Sequence, residues 1–386
     1  MKIKTLIITG ALSLGLVNLA GAVDFIYVTG STAMRGIVYH TFFDGNNVFD
    51  AAPSFVGYQG SSASGCNFMT FSNTIASTPT IVKCHWSGSE AGIADVSSAA
   101  QESFLADTVV LDGTFSTAAP SGSQLITNGV DLAMADNSLL FSQNPGSTAV
   151  QAFVGVIPFT FVRGTNSLPA AAAVSNITDQ QFRALIKGGQ KLALLTGNVN
   201  DTANYAYISG RDSLSGTRAN TYGITGFGIK ASPQQIELDN TGNMINLDGA
   251  GTYSGDYGFS GGGTLAGTLG KDTANSADQV HTGKTGFVTI AYLGRSDANT
   301  AITAGGVELT YNGVSYSSNN IVEGRFALWG NEQVLKRAGV STPGATVWSK
   351  LSAATGIPAK CDGITAFSST QMHAQRTGPT TDPSHK

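Results

Sequence analysis

The chain has 386 residues, of which only 12% are charged and 48 are glycine, and its formal net charge is −4. That balance carries no electrostatic footprint for nucleic acid or for an acidic membrane surface. The length suffices for two domain-sized cores.

Lys2 and Lys4 precede an apolar run from Leu6 to Leu19, and Ala20-Gly-Ala22 then supplies small residues at both cleavage-recognition positions. This reads as a secretory signal over residues 1–22, cleaved after Ala22, and it is too short for a spanning helix. No cysteine follows, so no lipid anchor is expected, and the mature protein is expected in the periplasm or outside the cell.

Asp24 to Val28 is a strand running into Thr29-Gly-Ser-Thr-Ala-Met-Arg-Gly36, and Ile37 to Phe43 then reads as helix. Strand, small polar turn, helix is an α/β opening. Cys66 and Cys84 bracket two strand-like runs flanking the polar stretch Ser72 to Pro79. A symmetric hairpin places these cysteines opposite each other, and in an oxidising compartment a disulfide between them is expected. The alternative is two reduced thiols in the core. The opening rhythm recurs at Thr80 to Trp86, Ser87-Gly-Ser-Glu-Ala-Gly92 and a helix from Ile93, and more weakly at Val130 to Ala135 followed by Asp136-Asn137-Ser138.

Val154 to Val162 is a continuous apolar, β-branched run, as in a strand buried on both faces. A helix follows Asn176-Ile-Thr-Asp179 and stops at Gly188-Gly189. Tyr205 to Gly210 is a strand leading into Arg211-Asp-Ser-Leu-Ser-Gly-Thr217. Residues 239–276 are rich in Gly, Asn, Asp and Ser and read as long loops or a small insertion. Gly286 to Leu293 is again a strand, Val307 to Ser317 a hairpin around Asn312-Gly313, and Glu323 to Gly339 a strand with a helix.

Chemistry concentrates at the strand ends. In the Thr29-Gly-Ser-Thr turn, the Ser31 and Thr32 hydroxyls stand beside backbone N–H groups at a helix start, a natural anion site. Ser and Thr cap most helices, so one such turn says little. Ser87-Gly-Ser89 repeats the arrangement. Arg211 supplies a guanidinium fork four residues before Ser215-Gly216-Thr217, whose amides can cradle an oxyanion, and Gly216 permits close backbone approach.

Other patterns fail. His281-Thr-Gly-Lys-Thr285 lacks the first glycine of a P-loop, Asp278 standing there. The five histidines show no metal-ligand spacing. Asp239-Asn-Thr-Gly-Asn243 lacks the closing carboxylate of a calcium loop, Ala250 standing in its place. No nucleophile elbow surrounds Ser213 or Ser215. Neither an enzyme nor a cofactor is expected.

Taken collinearly, Gly30-Ser-Thr32, Gly88-Ser89-x-x-Gly92, Val130-Asp-Leu-Ala-Met-Ala-Asp136, Arg211-x-x-x-Ser215-Gly216-Thr217 and Gly286 to Leu293 resemble the phosphate-binding proteins of bacterial phosphate ABC importers, within the type 2 periplasmic-binding family. The resemblance spans about residues 24–335. It implies an α/β, two-lobed type 2 periplasmic binding protein fold, with the ligand cleft between lobes joined by two hinge strands. Lobe I would comprise 23–156 plus 293–372, lobe II 157–292, and 373–386 a flexible tail. It also implies that Thr32, Ser89, Asp136, Arg211, Ser215, Gly216 and Thr217, with Ser31 beside them, hold inorganic phosphate or a similar oxyanion. A monomer delivering that ion to an ABC permease is then expected. Four features depart from the family pattern: Ala33 where relatives carry an aromatic, extra chain over residues 57–80, Glu90 directly after Ser89, unfavourable unless it points away, and the long 239–276 stretch. The long Gly-rich insertions and the expected lack of a lipid anchor permit an alternative, a surface or matrix protein that keeps the fold without transport.

Overall fold

The structure, a computed structural model, describes residues 22–386 apart from 45–46, 99, 145, 166–167, 240, 248–255, 272–275, 282–283 and 377–381. The signal segment therefore lies outside the described residues, except for Ala22.

In chain order, the elements that position the site are β1 (Asp24–Gly30), α1 (Arg35–Phe43), β2 (Phe68–Ile75), β3 (Thr78–His85), α2 (Ser89–Ser98), β4 (Leu132–Ala135), β5 (Val150–Arg163), α3 (Asp179–Leu185), β6 (Tyr205–Ser209), α4 (Gly216–Ile224), α5 (Gly262–Thr268), β7 (Phe287–Gly294), α6 (Arg295–Thr303), β8 (Trp329–Lys336) and α7 (Thr342–Ser352). No helix among the described residues is long and apolar enough to cross a membrane.

Among the described residues thirteen strands join in one mixed sheet. β1 lies between β3 and β4, parallel to both, and β8 runs antiparallel against β4. The fourteen-residue β5 ties the two halves together. Its residues 150–158 pair with β8, and its residues 159–163 pair with β7, which is parallel to β6. β5 and β8 are thus the two strands that cross between a lobe built on β1, β3 and β4 and a lobe built on β6 and β7.

Each lobe has its own core. Ile26, Val28, Phe42, Phe71, Val82, Met134 and Leu351 bury the first, and Phe161, Phe182, Ile208, Tyr222, Ile290 and Tyr292 the second. Each such side chain contributes about 1.5–3 kcal/mol when fully buried. The return crossing falls later than the sequence suggests. Leu309, Tyr311, Ile321 and Phe326 pack into the second core, and Val307–Glu308 pairs with β5 at Arg163 and Val162. This packing supports a return crossing at β8, with residues 307–328 placed against the second core.

The tail also differs from the expectation of a flexible segment: Ala374–Gln375 pairs antiparallel with Ser384–His385. The described part of the Gly-rich stretch takes the form of a small insertion with strands of its own. Ile236–Leu238, Met244–Asn246, Ala277–Asp278 and Lys284–Thr285 form a small four-stranded sheet. The extra chain over residues 57–80 extends the lobe I sheet, with β2 pairing both β3 and the strand Ser54–Tyr58, which in turn pairs with Phe115–Ser116 at the edge.

The expected Cys66–Cys84 disulfide is absent, and both cysteines are free and buried. The hairpin turns at Ala76-Ser77, both left-handed, with φ of 50° and 65°. That centre lies beyond the midpoint between the cysteines, so Cys84 stands opposite Met69. Cys66 falls outside the strand, where its Sγ–H donates to the Ser62 carbonyl at 3.3 Å.

Candidate functional site

Three turns at the ends of β1, β3 and β4 in lobe I meet the β6–α4 turn of lobe II. Gly30 joins the first two: the Ser31 N–H donates to Met134 O at 2.8 Å, and the Gly88 N–H donates to Gly30 O at 2.8 Å. Gly30 has φ +115°, and a Cβ there would fall 2.0 Å from Met134 O, so this close approach requires glycine.

Asp136 sits at the meeting point, 2% exposed. Its carboxylate accepts the Ser89 hydroxyl on one oxygen and the Thr217 hydroxyl, at 3.2 Å, on the other. Its N–H donates back to Ser89 Oγ at 3.2 Å. Gly216 presses against this carboxylate so closely that a Cβ would lie 1.7 Å from Asp136 Oδ1. Burial pushes the Asp136 carboxyl above its ordinary range, and the Ser89 hydroxyl, the Arg211 charge and the Thr217 hydroxyl oppose that rise. Asp136 caps no α-helix; the chain passes instead into a short turn at Leu139–Phe141.

Arg211 is 3% exposed. Its Nε donates to Phe259 O at 2.9 Å, and its Nη2 donates to Ser260 O at 2.7 Å and to Thr32 Oγ1 at 3.3 Å. No carboxylate lies within ion-pair distance of it among the described residues. Behind it, Arg218 Nη1 donates to Arg211 O at 3.3 Å.

The structure thus brings Thr32, Ser89, Asp136, Arg211, Gly216 and Thr217 together across the lobe boundary. Ser31 and Ser215 stand in the same turns, but their oxygens serve as caps. Ser31 Oγ accepts from the Ala33 and Met34 amides, and Ser215 Oγ accepts from the Arg218 amide at 3.3 Å. Their hydroxyl protons stay available. Glu90 points away: Asn137 Nδ2, Ser142 Oγ and the Gln143 amide donate to its carboxylate at 2.7–2.9 Å. That enclosure pins the loop following Asp136 and satisfies the buried Glu90 carboxylate.

One contributor escaped the sequence reading. Asn220 Nδ2 donates to Asp136 O at 2.7 Å and to Gly216 O at 3.1 Å. Its position one helical turn after Gly216 is the signal that could have found it. With the Glu90 amide on Leu214 O at 3.0 Å, these bonds clasp α4 onto lobe I.

Beside the constellation, and sharing Thr32 with it, is a cavity of about 450 Å³ between the lobes. Glu332 of β8 reaches it, with its carboxyl pushed up to about 8 by burial, reinforced by the nearby Asp136 and Asp362 charges.

No protein-family model matches the sequence, and no curated protein is found as a relative. Among solved structures the chain is similar to a proposed phosphate ABC transporter substrate-binding protein with bound phosphate from Clostridium perfringens, with 13% identity and a TM-score of 0.46, covering 87% of this chain and 97% of that one. It is similar also to PstS from Borrelia burgdorferi, with 12% identity and a TM-score of 0.41, covering 89% and 98%. A third is an ABC-type phosphate transport receptor from Vibrio cholerae, with 11% identity and a TM-score of 0.44, covering 85% and 93%.

Proposed function

We propose that the protein is an extracytoplasmic solute-binding protein whose cleft takes a protonated tetrahedral oxyanion, with phosphate preferred over sulfate. One observation carries the reading: a buried carboxyl, Asp136, stands among the hydroxyls of Ser89 and Thr217, with the Arg211 guanidinium, which donates to Thr32, near enough for its charge to act on that carboxyl. A bare carboxylate repels an anion strongly where water is excluded. It attracts one that carries a proton, because the ligand O–H donates to it. The Ser89 and Thr217 hydroxyls and the Arg211 fork then turn to the remaining ligand oxygens. Entry requires the α4 clasp to open, and the new bonds re-form it around the ligand, so binding favours closure. An ABC permease reading the closed form completes this role.

A second reading draws on the same geometry. Asp136 already satisfies two hydroxyls, so the carboxylate can act as an internal anion that locks the lobes of a protein without transport. Titration calorimetry with phosphate on wild type and Arg211→Ala separates the two. Truncating one partner of a buried charged pair costs about 2–5 kcal/mol, so the variant should bind roughly 30-fold or more weakly. Arg211→Lys should recover part of the loss, because the fork is missing. Unchanged affinity in Arg211→Ala would place the anion elsewhere.

A further inference from the structure

The cavity beside the oxyanion cluster is too large for the ion alone. At about 450 Å³ it has room for roughly fifteen waters at their liquid volume of about 30 Å³ each. It falls within the range of about 300–1,000 Å³ usual for small-molecule sites. It is also continuous with the anion cluster. Thr32 lines it while accepting from Arg211 Nη2. On the lobe II side, Asp297 and Arg211 stand against the same glycine: a Cβ on Gly262 would lie 2.0 Å from Asp297 Oδ2 and 3.4 Å from Arg211 Nη1.

The chemistry of the lining narrows the occupant. Its two strong cations are engaged elsewhere, Arg35 with Asn67 Oδ1 and Lys360 with Asp44 O at 2.9 Å. Asp362 is turned back on its own loop, accepting from the Ile364, Thr365 and Ala366 amides. Two carboxyls are left. Glu332 Oε2 is buried with no hydrogen-bond partner among the described residues. Burial holds that group protonated at neutral pH, so it offers a hydrogen. Asp297, on the facing wall, offers acceptor oxygens. No Phe, Tyr or Trp lines the cavity among the described residues, so it lacks a large aromatic platform. A second anionic group would meet two carboxyls. Hydroxyl groups, which both donate and accept, suit both.

We propose that the ligand is a phosphorylated polyol, its phosphoryl group on the Asp136–Arg211 cluster and its hydroxyls in the cavity against Asp297 and Glu332. This rests on the oxyanion reading and extends it to a substrate class.

Titration calorimetry with inorganic phosphate, glycerol 3-phosphate, glucose 6-phosphate, glycerol and glucose tests it. At least one ester should bind ten times more tightly than inorganic phosphate or better, and the free polyols should give no heat at millimolar concentration. Gly36→Leu extends a side chain from α1 into the cavity. The nearest neighbour of its Cβ, Ser64 O, is 4.0 Å away, so the fold accommodates it. In that variant, and less completely in Asp297→Asn, the ester-to-phosphate affinity ratio should fall toward one. Inorganic phosphate binding as tightly as every ester overturns this proposal and leaves the oxyanion reading standing. A ratio unchanged in Gly36→Leu overturns it too. Binding of no phosphate compound, or of free polyols as tightly as their esters, defeats both.

Discussion

On the proposed reading, Asp136 carries the selectivity. Phosphate near neutral pH retains a proton to donate to it, whereas sulfate has none, and sites built to use such a hydrogen bond reject analogues lacking it by about 10⁴ in favourable cases. In Asp136→Asn the amide both donates and accepts. Calorimetry should find phosphate binding retained and sulfate tolerance gained; equally strict exclusion of sulfate would remove Asp136 from this role. The cysteines give a second prediction at this scale. Alkylation in denaturant without reductant should label all three residues, because Cys66 and Cys84 are free in the fold. In the native state both thiols are buried, burial pushing Cys66 up to about 11, and should react slowly. The candidate residues stand out in the sequence because Thr32, Ser89 and Ser215 to Thr217 lie where a strand gives way to a helix, and Asp136 directly follows a strand. Asn220 and Glu332 do not: one is an ordinary helix residue, the other an acid in the mixed polar and apolar run Trp329–Lys336, and only the fold shows what they face.

The β2–β3 hairpin shows how register escapes a sequence reading. Ala76-Ser77 occupies two left-handed positions that Asn-Gly would fill more easily. The turn is held from outside, the Asp50 carboxylate accepting from the Ala76 and Ser77 amides at 3.0 and 2.8 Å. Those bonds hold Asp50 below the usual carboxylate range, the Ser77 amide contributing most. An acid some two dozen residues upstream leaves no local signal, so the centre of symmetry was misplaced and with it the expected disulfide. Ser77→Gly should remove the left-handed penalty of its position and raise stability by about 1 kcal/mol in urea unfolding. A fall would show that the serine side chain matters to the turn. By contrast, the continuous apolar run of β5 did announce a strand buried on both faces.

On the scale of the molecule, the sequence conveyed two α/β lobes and the crossing role of β5. It put the return crossing at residue 293, because the hairpin pattern of Val307 to Ser317 does not say which core Leu309, Ile321 and Phe326 pack into. Glu332 sits on the actual return strand, and its proton couples folding to pH. Its carboxyl, pushed up to about 8 in the fold, lies near 4.3 in an unfolded chain. The folded state therefore binds the proton more tightly, and stability falls as pH rises through the window between those values. Glu332→Gln, which mimics the protonated form, should lose most of that slope. The variant should gain a few kcal/mol over wild type at pH 9 but match it near pH 4, by urea midpoints. An unaltered slope would place the titration in another group. The whole account turns on whether a protonated oxyanion enters between the lobes. Equilibrium dialysis of labelled phosphate at pH 7, with sulfate as competitor, tests this most directly. Saturable phosphate binding that excess sulfate fails to displace is the predicted result; no binding at millimolar phosphate, or displacement by equimolar sulfate, would contradict it.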